Sequence, residues 1–301
     1  MATLYTHQGS NNRKTWFLMS GFFIVVIFIG WAVSWYFQSP ILLYVAVAFS
    51  ILMNVFSYWY SDKIVLKMAG AKKVKREEYF DLWNIVENLS ITAGLPMPKV
   101  YIINDPAPNA FATGRDAEHG VVAVTTGLLG MLNKTELEGV IGHELSHIGN
   151  KDILISTIVV VLVGFVTLLS DFFLRATFWG VGNRRQGGDG RAGLIMLLIG
   201  VGLAILAPLI ATVIKLAISR KREFLADASG ALLTRYPEGL ASGLEKISGY
   251  SGELKRANHA TAHLYIADPF KDKNPKKVSF MHKLFLTHPP VQERVDALRG
   301  K

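Results

Sequence analysis

A glutamate between two histidines is the first feature of this sequence that could do chemistry, in the stretch GVIGHELSHIGN at residues 139–150. Residues four apart on a helix share a face, so His143 and His147 can bind one metal ion. Glu144 is then placed to reach a water molecule on that ion rather than the ion itself. This spacing is typical of the zinc-binding helix of a metallopeptidase. The alternative is a pair of surface histidines on an ordinary helix, because a five-residue motif also occurs by chance.

A catalytic zinc ion needs a third protein ligand, and this chain has no cysteine to provide one. The first acidic residue after the last long apolar run is Glu223, in the stretch REFLAD. If the apolar segments between His147 and Glu223 cross a membrane out and back, the chain returns Glu223 to the side that it left. Asp227 lies four residues further on the same helical face, where it can hydrogen-bond a ligand histidine. The alternative for Glu223 is a solvated charge in a basic cluster.

Four long apolar runs contain no Asp, Glu, Lys, Arg or His and indicate an integral membrane protein: residues 16–37, 41–60, 153–170 and 194–214. The first is about 33 Å long as a helix, which is too long for a signal peptide, and no cleavage site follows it. We predict two transmembrane helical hairpins. A transporter would place ionisable residues inside its spans, so their absence argues against that class. The base Glu144 favours an enzyme over an inactive metal-binding scaffold.

Charge and composition agree with a membrane protein. Only 18% of the residues are charged, below the roughly 25% of a typical soluble domain. The net charge is +9, but Lys and Arg concentrate at the ends of the apolar runs. This pattern indicates the cytoplasmic face of a membrane protein and no nucleic-acid partner. The loop at 175–192 disagrees with this pattern. It is rich in arginine, but four membrane spans would put it on the outside, where positive residues are less common.

The remaining segments predict a mainly α fold with a small β-sheet. A helix over 79–95 and strands over 98–103 and 120–127 precede the histidine helix. Asn133 or Thr135 can cap that helix, and Thr135 with Glu138 has the spacing of a capping box. The predicted parts are an N-terminal hairpin at 1–62, a first catalytic part at 63–152, a second hairpin at 153–218 and a second catalytic part at 219–301.

Taken together, HELSH, an apolar hairpin and EFLAD resemble the H-E-x-x-H…E-x-x-x-D pattern of the M48 zinc peptidases. Two N-terminal spans, NAFATG at 109–114 and THPP before Arg294 are also similar to that family, and the resemblance covers nearly the whole chain. It implies a gluzincin endopeptidase, in which a glutamate is the third ligand of one Zn²⁺ per chain. It further implies a multi-pass protein of the bacterial inner (cytoplasmic) membrane, with its catalytic domain facing the cytoplasm.

The resemblance also implies substrates and further site residues. Misfolded or damaged membrane proteins would be the substrates, in protein quality control, while the oligomeric state stays open. His288 and Arg294 would stabilise the oxyanion, although by themselves they fit the solvated start of a helix equally well. Asn109, Ala110 and Phe111 would pair with an extended substrate as an edge strand, with an ordinary turn as the alternative.

Overall fold

The computed structural model describes residues 4–162, 164, 220–257, 261–267, 269 and 289–301. The described helices are α1 (Leu4–Phe37), α2 (Pro40–Ala69), α3 (Phe80–Ala93), α4 (Thr126–Met131), α5 (Lys134–Gly149), α6 (Asp152–Leu162), α7 (Arg220–Thr234), α8 (Pro237–Gly249) and α9 (Val291–Arg299), with short 3₁₀ turns at Ala117–His119 and Ala262–Leu264. The predicted mainly α fold with a small sheet is confirmed. Most of the predicted second hairpin, and His288, lie outside the described residues.

Two of the described helices are long and apolar enough to cross a membrane: Arg13–Trp31 within α1, and α2 as a whole. They are joined by a tight turn at Gln38 and Ser39 and pack against each other. The packing is close at Gly30, where an added Cβ would collide with Ala46. Several tryptophan and phenylalanine side chains of these helices are more than half exposed, which suits contact with lipid.

The sheet has four strands in the order β1-β2-β4-β3 and mixes both orientations. The strands are β1 (Lys72–Lys73), β2 (Lys99–Ile103), β3 (Ala110–Thr113) and β4 (Val121–Thr125). β2 and β4, which were predicted, pair in parallel. β3 comes from the NAFATG stretch and pairs antiparallel with β4, so it forms one edge of the sheet. β1 was not predicted, because two exposed lysines carry no strand pattern.

Helices cover both faces of the sheet, and every residue of β4 is therefore buried. Val122 and Val124 face a core shared with α3, α5 and α8. Val121 and Ala123 face a second core, to which α6 and the last turns of α2 contribute. One helix thus joins the membrane part to the sheet directly, because α2 continues past its predicted end.

The N-terminal cap of α5 differs from the predicted capping box. Asn133 Oδ1 accepts from the Glu136 backbone N–H at 3.0 Å, and Glu136 Oε2 accepts from the Asn133 N–H at 2.9 Å. Thr135 instead donates its hydroxyl to Asn133. The box with Thr135 and Glu138 was wrong because the helix begins two residues earlier, where Asn133 has the extended backbone of an N-cap.

A sharp bend separates α5 from α6. Lys151 has a φ of 57°, the left-handed conformation that commonly ends helices, and the two helix axes differ by 85°. α6 then packs Leu154 and Ile158 against Met19 of α1. The bend brings the first residue of α6 back towards the histidines of α5.

Candidate metal centre

Three side chains from two helices meet in one cluster that could hold a metal ion: His143 and His147 of α5 and Glu223 of α7. The Nε2 atoms of the two histidines are 3.1 Å apart. Glu223 lies 3.8 Å from His143 Nε2 through Oε2 and 3.6 Å from His147 Nε2 through Oε1. His143 and Glu223 are buried, and His147 is half-buried.

The spacing and chemistry of this cluster fit a tetrahedral ion. Ligand atoms at about 2.0–2.1 Å from zinc lie about 3.3 Å apart, close to the spacings above. Two imidazoles and one carboxylate supply nitrogen and oxygen donors, as expected for a chain without cysteine. Three ligands also leave one position for water, which is the arrangement of catalytic rather than structural sites.

A carboxylate holds the second ring nitrogen of each histidine. Asp227 Oδ1 lies 2.8 Å from His143 Nδ1, and Asp152 Oδ2 lies 3.2 Å from His147 Nδ1. These contacts fix the tautomer in which Nε2 is free to bind a cation. The predicted contact of Asp227 with a ligand histidine is thus present in the structure.

Asp152, which contacts His147, was not predicted from the sequence. On a straight helix, residues five apart lie about 140° from each other around the axis, so Asp152 would not face His147. The 85° bend between α5 and α6 changes this geometry. The available signal was Gly149-Asn150, which ends the helix just before Asp152.

Glycines let α7 approach α5 closely enough to bring Glu223 and Asp227 to the histidines. A Cβ added at Gly230 of α7 would lie 2.7 Å from the His143 backbone nitrogen. A Cβ at Gly142 of α5 would lie 3.2 Å from the Gly230 carbonyl oxygen. Glu223, Asp227 and Gly230 are spaced by four and three residues and therefore lie along one face of α7.

Arg294, from α9, is fully buried and forms a bidentate salt bridge with Asp227. Its Nε donates to Asp227 Oδ2 at 2.8 Å and its Nη2 to Oδ1 at 2.6 Å. Nη1 donates to the Ile266 carbonyl at 3.1 Å and lies 4.0 Å from Glu223 Oε2. The guanidinium thus contacts the residues that support the cluster, and its predicted action on an oxyanion stays a prediction.

The charges around the cluster perturb two pKa values. Burial lowers the pKa of His147, but its hydrogen bond to Asp152 and the negative charges of Glu223, Asp152 and Glu144 raise it to about 9. Burial raises the pKa of Asp227, but hydrogen bonds from Arg294 and His143 bring it below its usual 3.8. The cluster therefore attracts positive charge, and a cation bound there displaces the proton of His147.

The remaining predicted site residues fall into three groups. Glu144 is buried beside His143 on α5, and its role as a base stays a prediction. Asn109, Ala110 and Phe111 are buried at the β3 edge, where Asn109 Nδ2 donates to Ala267 O at 3.0 Å and Ala110 O accepts from Ile266 N–H at 3.0 Å. The segment around Ile266 thus occupies this part of the edge, and substrate binding by these residues stays a prediction. His288 lies outside the described residues.

Comparison with known proteins gives consistent matches. The model of peptidase family M48 matches residues 76–301. A "Protease HtpX homolog" of Caldanaerobacter subterraneus subsp. tengcongensis is 46% identical over 301 residues, covering 99% of this chain and 98% of the relative. A "Protease HtpX homolog" of Dictyoglomus turgidum is 47% identical over 298 residues, covering 99% of this chain and 94% of the relative. The crystal structure of S. mikatae Ste24p shares the fold, with a TM-score of 0.50 and 16% identity over 98% of this chain and 67% of that one.

Proposed function

Because this chain belongs to peptidase family M48, and is therefore a metallopeptidase, we propose that it is a zinc-dependent endopeptidase of the bacterial inner membrane that cleaves misfolded or damaged membrane proteins. The observation that carries this proposal is the cluster of His143, His147 and Glu223, with a carboxylate behind each histidine. His143, His147 and Glu223 would hold one Zn²⁺, as in a gluzincin. When bound, zinc lowers the pKa of a water molecule and polarises the scissile carbonyl.

Glu144 is the base in this proposal. It takes a proton from the attacking water and later passes it to the leaving amine. Its burial and its position next to His143 along α5 support this role.

The oxyanion of the substrate needs a positive or hydrogen-bonding partner, and His288 and Arg294 are the proposed donors. Arg294 already donates to Asp227 and to the Ile266 carbonyl. It can reach an oxyanion only if the Ile266 segment gives way to substrate. Asn109, Ala110 and Phe111 would then offer their strand edge to an extended peptide, which favours backbone recognition over sequence preference.

The membrane helices support the choice of substrate class. α1 and α2 are long and apolar enough to cross a bilayer, and the last turns of α2 pack into a core of the sheet. A site joined to membrane helices in this way would meet segments of membrane proteins that leave the bilayer. The Lys and Arg residues that follow α2 favour a cytoplasmic position for the catalytic part.

Digestion of a misfolded membrane protein by the detergent-purified full-length chain tests the proposal. We expect cleavage that a zinc chelator stops and added Zn²⁺ restores, with about one zinc bound per chain. Glu144→Gln should retain the zinc and lose the cleavage, because an amide cannot accept the proton. Glu223→Ala should lose the zinc, whereas Glu238→Ala, on the exposed surface of α8, should keep it.

Two results would overturn parts of this proposal. Cleavage by Glu144→Gln at the parent rate would mean that another base acts. Full zinc occupancy in Glu223→Ala would place the third ligand elsewhere in the chain.

A further inference from the structure

Asp152 is the centre of a buried polar network beside the metal cluster. Its Oδ2 accepts from His147, and its Oδ1 accepts from Asn11 Nδ2 at 2.6 Å and from Arg222 Nη1 at 3.3 Å. Asn11 Oδ1 in turn accepts from Arg222 Nη1 at 3.3 Å. Asp152, Asn11 and Arg222 are all less than one-tenth exposed.

The network lies where three parts of the chain meet at the membrane helices. Asn11 belongs to α1 and precedes its membrane-spanning part by two residues. Asp152 begins α6, and Arg222 directly precedes Glu223 on α7. Asn11 Nδ2 also donates to the Asn150 carbonyl at 3.2 Å, so this one amide fixes the bend between α5 and α6.

We propose that Asp152 is a positioning residue that holds His147 for metal binding, and that Asn11 holds Asp152, so that docking of the first membrane helix contributes to metal affinity. This inference rests on the proposed metal site. It assigns a role to a residue of α1 that is separated from the catalytic histidines by more than a hundred residues of sequence.

The hydrogen-bond chemistry explains why a carboxylate is needed at position 152. One oxygen of Asp152 faces the His147 N–H, and the other faces donors from Asn11 and Arg222. An asparagine can offer an acceptor to only one of these sides and turns its own NH₂ towards donors on the other. Asp152→Asn therefore keeps the shape of the side chain while it breaks half of the network.

Alanine at position 152 is a poorer test. Within the described part of the chain, Nε and Nη2 of Arg222 have no hydrogen-bond partner, so Asp152 carries most of the compensation for this buried charge. Removal of the whole carboxylate would leave the Arg222 charge buried and unpaired, which endangers folding. Asn11→Ala provides an independent variant, because it changes neither Asp152 itself nor any of the three proposed metal ligands.

The test measures the Kd for Zn²⁺ of the full-length protein in detergent, by competition with a fluorescent chelator. All variants carry Glu144→Gln, which prevents self-digestion. We expect Asp152→Asn to raise the Kd by about 10–100-fold, as for other losses behind a ligand histidine. Asn11→Ala should raise it by about 2–10-fold, because it removes one hydrogen bond to the supporting carboxylate. Combined with Asp152→Asn, Asn11→Ala should add little, since it acts through Asp152.

Two matched controls separate positioning from a general loss of stability. Asp105→Asn changes a buried aspartate that, among the described residues, accepts from the backbone N–H groups of Ala107 and Lys255. Asn54→Ala changes an asparagine of α2 that donates to the Ser50 carbonyl of its own helix. Both should leave the Kd near that of the parent. The visible spectrum of the Co²⁺-loaded protein should change in Asp152→Asn and not in Asp105→Asn, since it reports the geometry of the ligands.

The outcomes are distinguishable from failure of the proposed function. A parent that binds no zinc contradicts the metal site itself. If the parent binds zinc but Asp152→Asn has the same Kd as its control Asp105→Asn, the role of Asp152 is overturned. Equal Kd values for Asn11→Ala and Asn54→Ala overturn the contribution of the first membrane helix. If Asp152→Asn does not fold, the Asn11→Ala comparison decides.

Discussion

At the residue scale, each histidine of the cluster is held at one ring nitrogen so that the other can bind metal. Asp227 holds His143 and is itself held by Arg294, while Asp152 holds His147 and is held by Asn11 and Arg222. Each carboxylate is buried and would be costly if it were unpaired. Two layers of partners thus fix the directions of the metal ligands before any metal binds.

Arg294 allows a prediction that separates two roles. If it supports Asp227, Arg294→Ala should raise the zinc Kd by about 10–100-fold, because a buried carboxylate loses its partner and its hold on His143. If it acts only on the oxyanion, turnover should fall by about 10²–10³ with an unchanged Kd. The structure favours a raised zinc Kd, since Nε and Nη2 of the guanidinium both donate to Asp227. Zinc Kd and kcat measured on the same preparation decide between them, with Arg299→Ala, an exposed arginine of α9, as the control.

At the element scale, the closeness of α5 and α7 decides whether the cluster forms. Gly230→Ala tests this closeness, because an added Cβ would lie 2.7 Å from the His143 backbone nitrogen. Alanine inside a helix normally stabilises it by about 1 kcal/mol relative to glycine. Here we expect a destabilisation of about 1–3 kcal/mol and weaker zinc binding, because α7 is pushed away from α5.

Gly249→Ala is the matched control for this substitution, since a Cβ at the end of α8 meets nothing within 4 Å. It should be neutral or stabilising in thermal unfolding. Parent-like stability and zinc binding in Gly230→Ala would show that the two helices tolerate a larger separation.

The N-terminus of α5 is tied to α8 through Glu136, and this contact depends on pH. Burial raises the pKa of Glu136, but hydrogen bonds from Lys246, Ser242 and the Asn133 N–H lower it below its usual 4.5. The ionised side chain therefore stabilises the fold fully above about pH 4.5, and this stabilisation is lost as the pH falls through the lower pKa of the folded state.

Glu136→Gln should remove this pH-dependent stabilisation. We expect the variant to be less stable by about 1–3 kcal/mol near pH 7 and closer to the parent at pH 3. Thermal unfolding between pH 3 and pH 7 measures the difference. Glu138→Gln, the same substitution two residues along α5, is the control. An equal loss at both pH values would mean that the charge of Glu136 does not contribute.

The sequence predicts those features of the site that follow from helical spacing. The pair of His143 and His147 and the shared face of Glu223 and Asp227 depend only on the geometry of one straight helix each. Asp152 could not be predicted, because its position depends on a bend whose angle no local pattern encodes. The contact of Arg294 with Asp227 joins residues far apart in the chain and likewise depends on the packing of α7 and α9.

At the scale of the whole molecule, membrane and catalytic parts are continuous. α2 runs from the apolar N-terminal pair into the core of the sheet, and Asn11 of α1 contacts Asp152 beside the histidines. Arg222 of α7 contacts Asp152 of α6, although the segment between these two helices separates them in the sequence. The two ends of that segment therefore lie on the same side of any membrane that it crosses.

Single cysteines can test this topology, because the chain has none of its own. Lys151→Cys and Lys221→Cys replace exposed residues at the two ends of the segment, and Lys72→Cys replaces an exposed residue of β1. Gln38→Cys lies in the exposed turn between α1 and α2. Labelling with a membrane-impermeant maleimide, on intact cells and on inverted vesicles, reports the side of each position.

We expect positions 151, 221 and 72 to label only in inverted vesicles and position 38 only in intact cells. The positive residues after α2 favour the cytoplasm for the first group, and one crossing by α2 separates Gln38 from them.

Gln186→Cys, in the arginine-rich loop, should label with position 38 if the second hairpin spans the bilayer. Labelling of position 186 from the cytoplasm would mean that this hairpin enters the membrane without crossing it, which leaves the metal site intact. Labelling of 151 and 221 from opposite sides would contradict the contact of Arg222 with Asp152, because an odd number of crossings would separate Glu223 from both histidines.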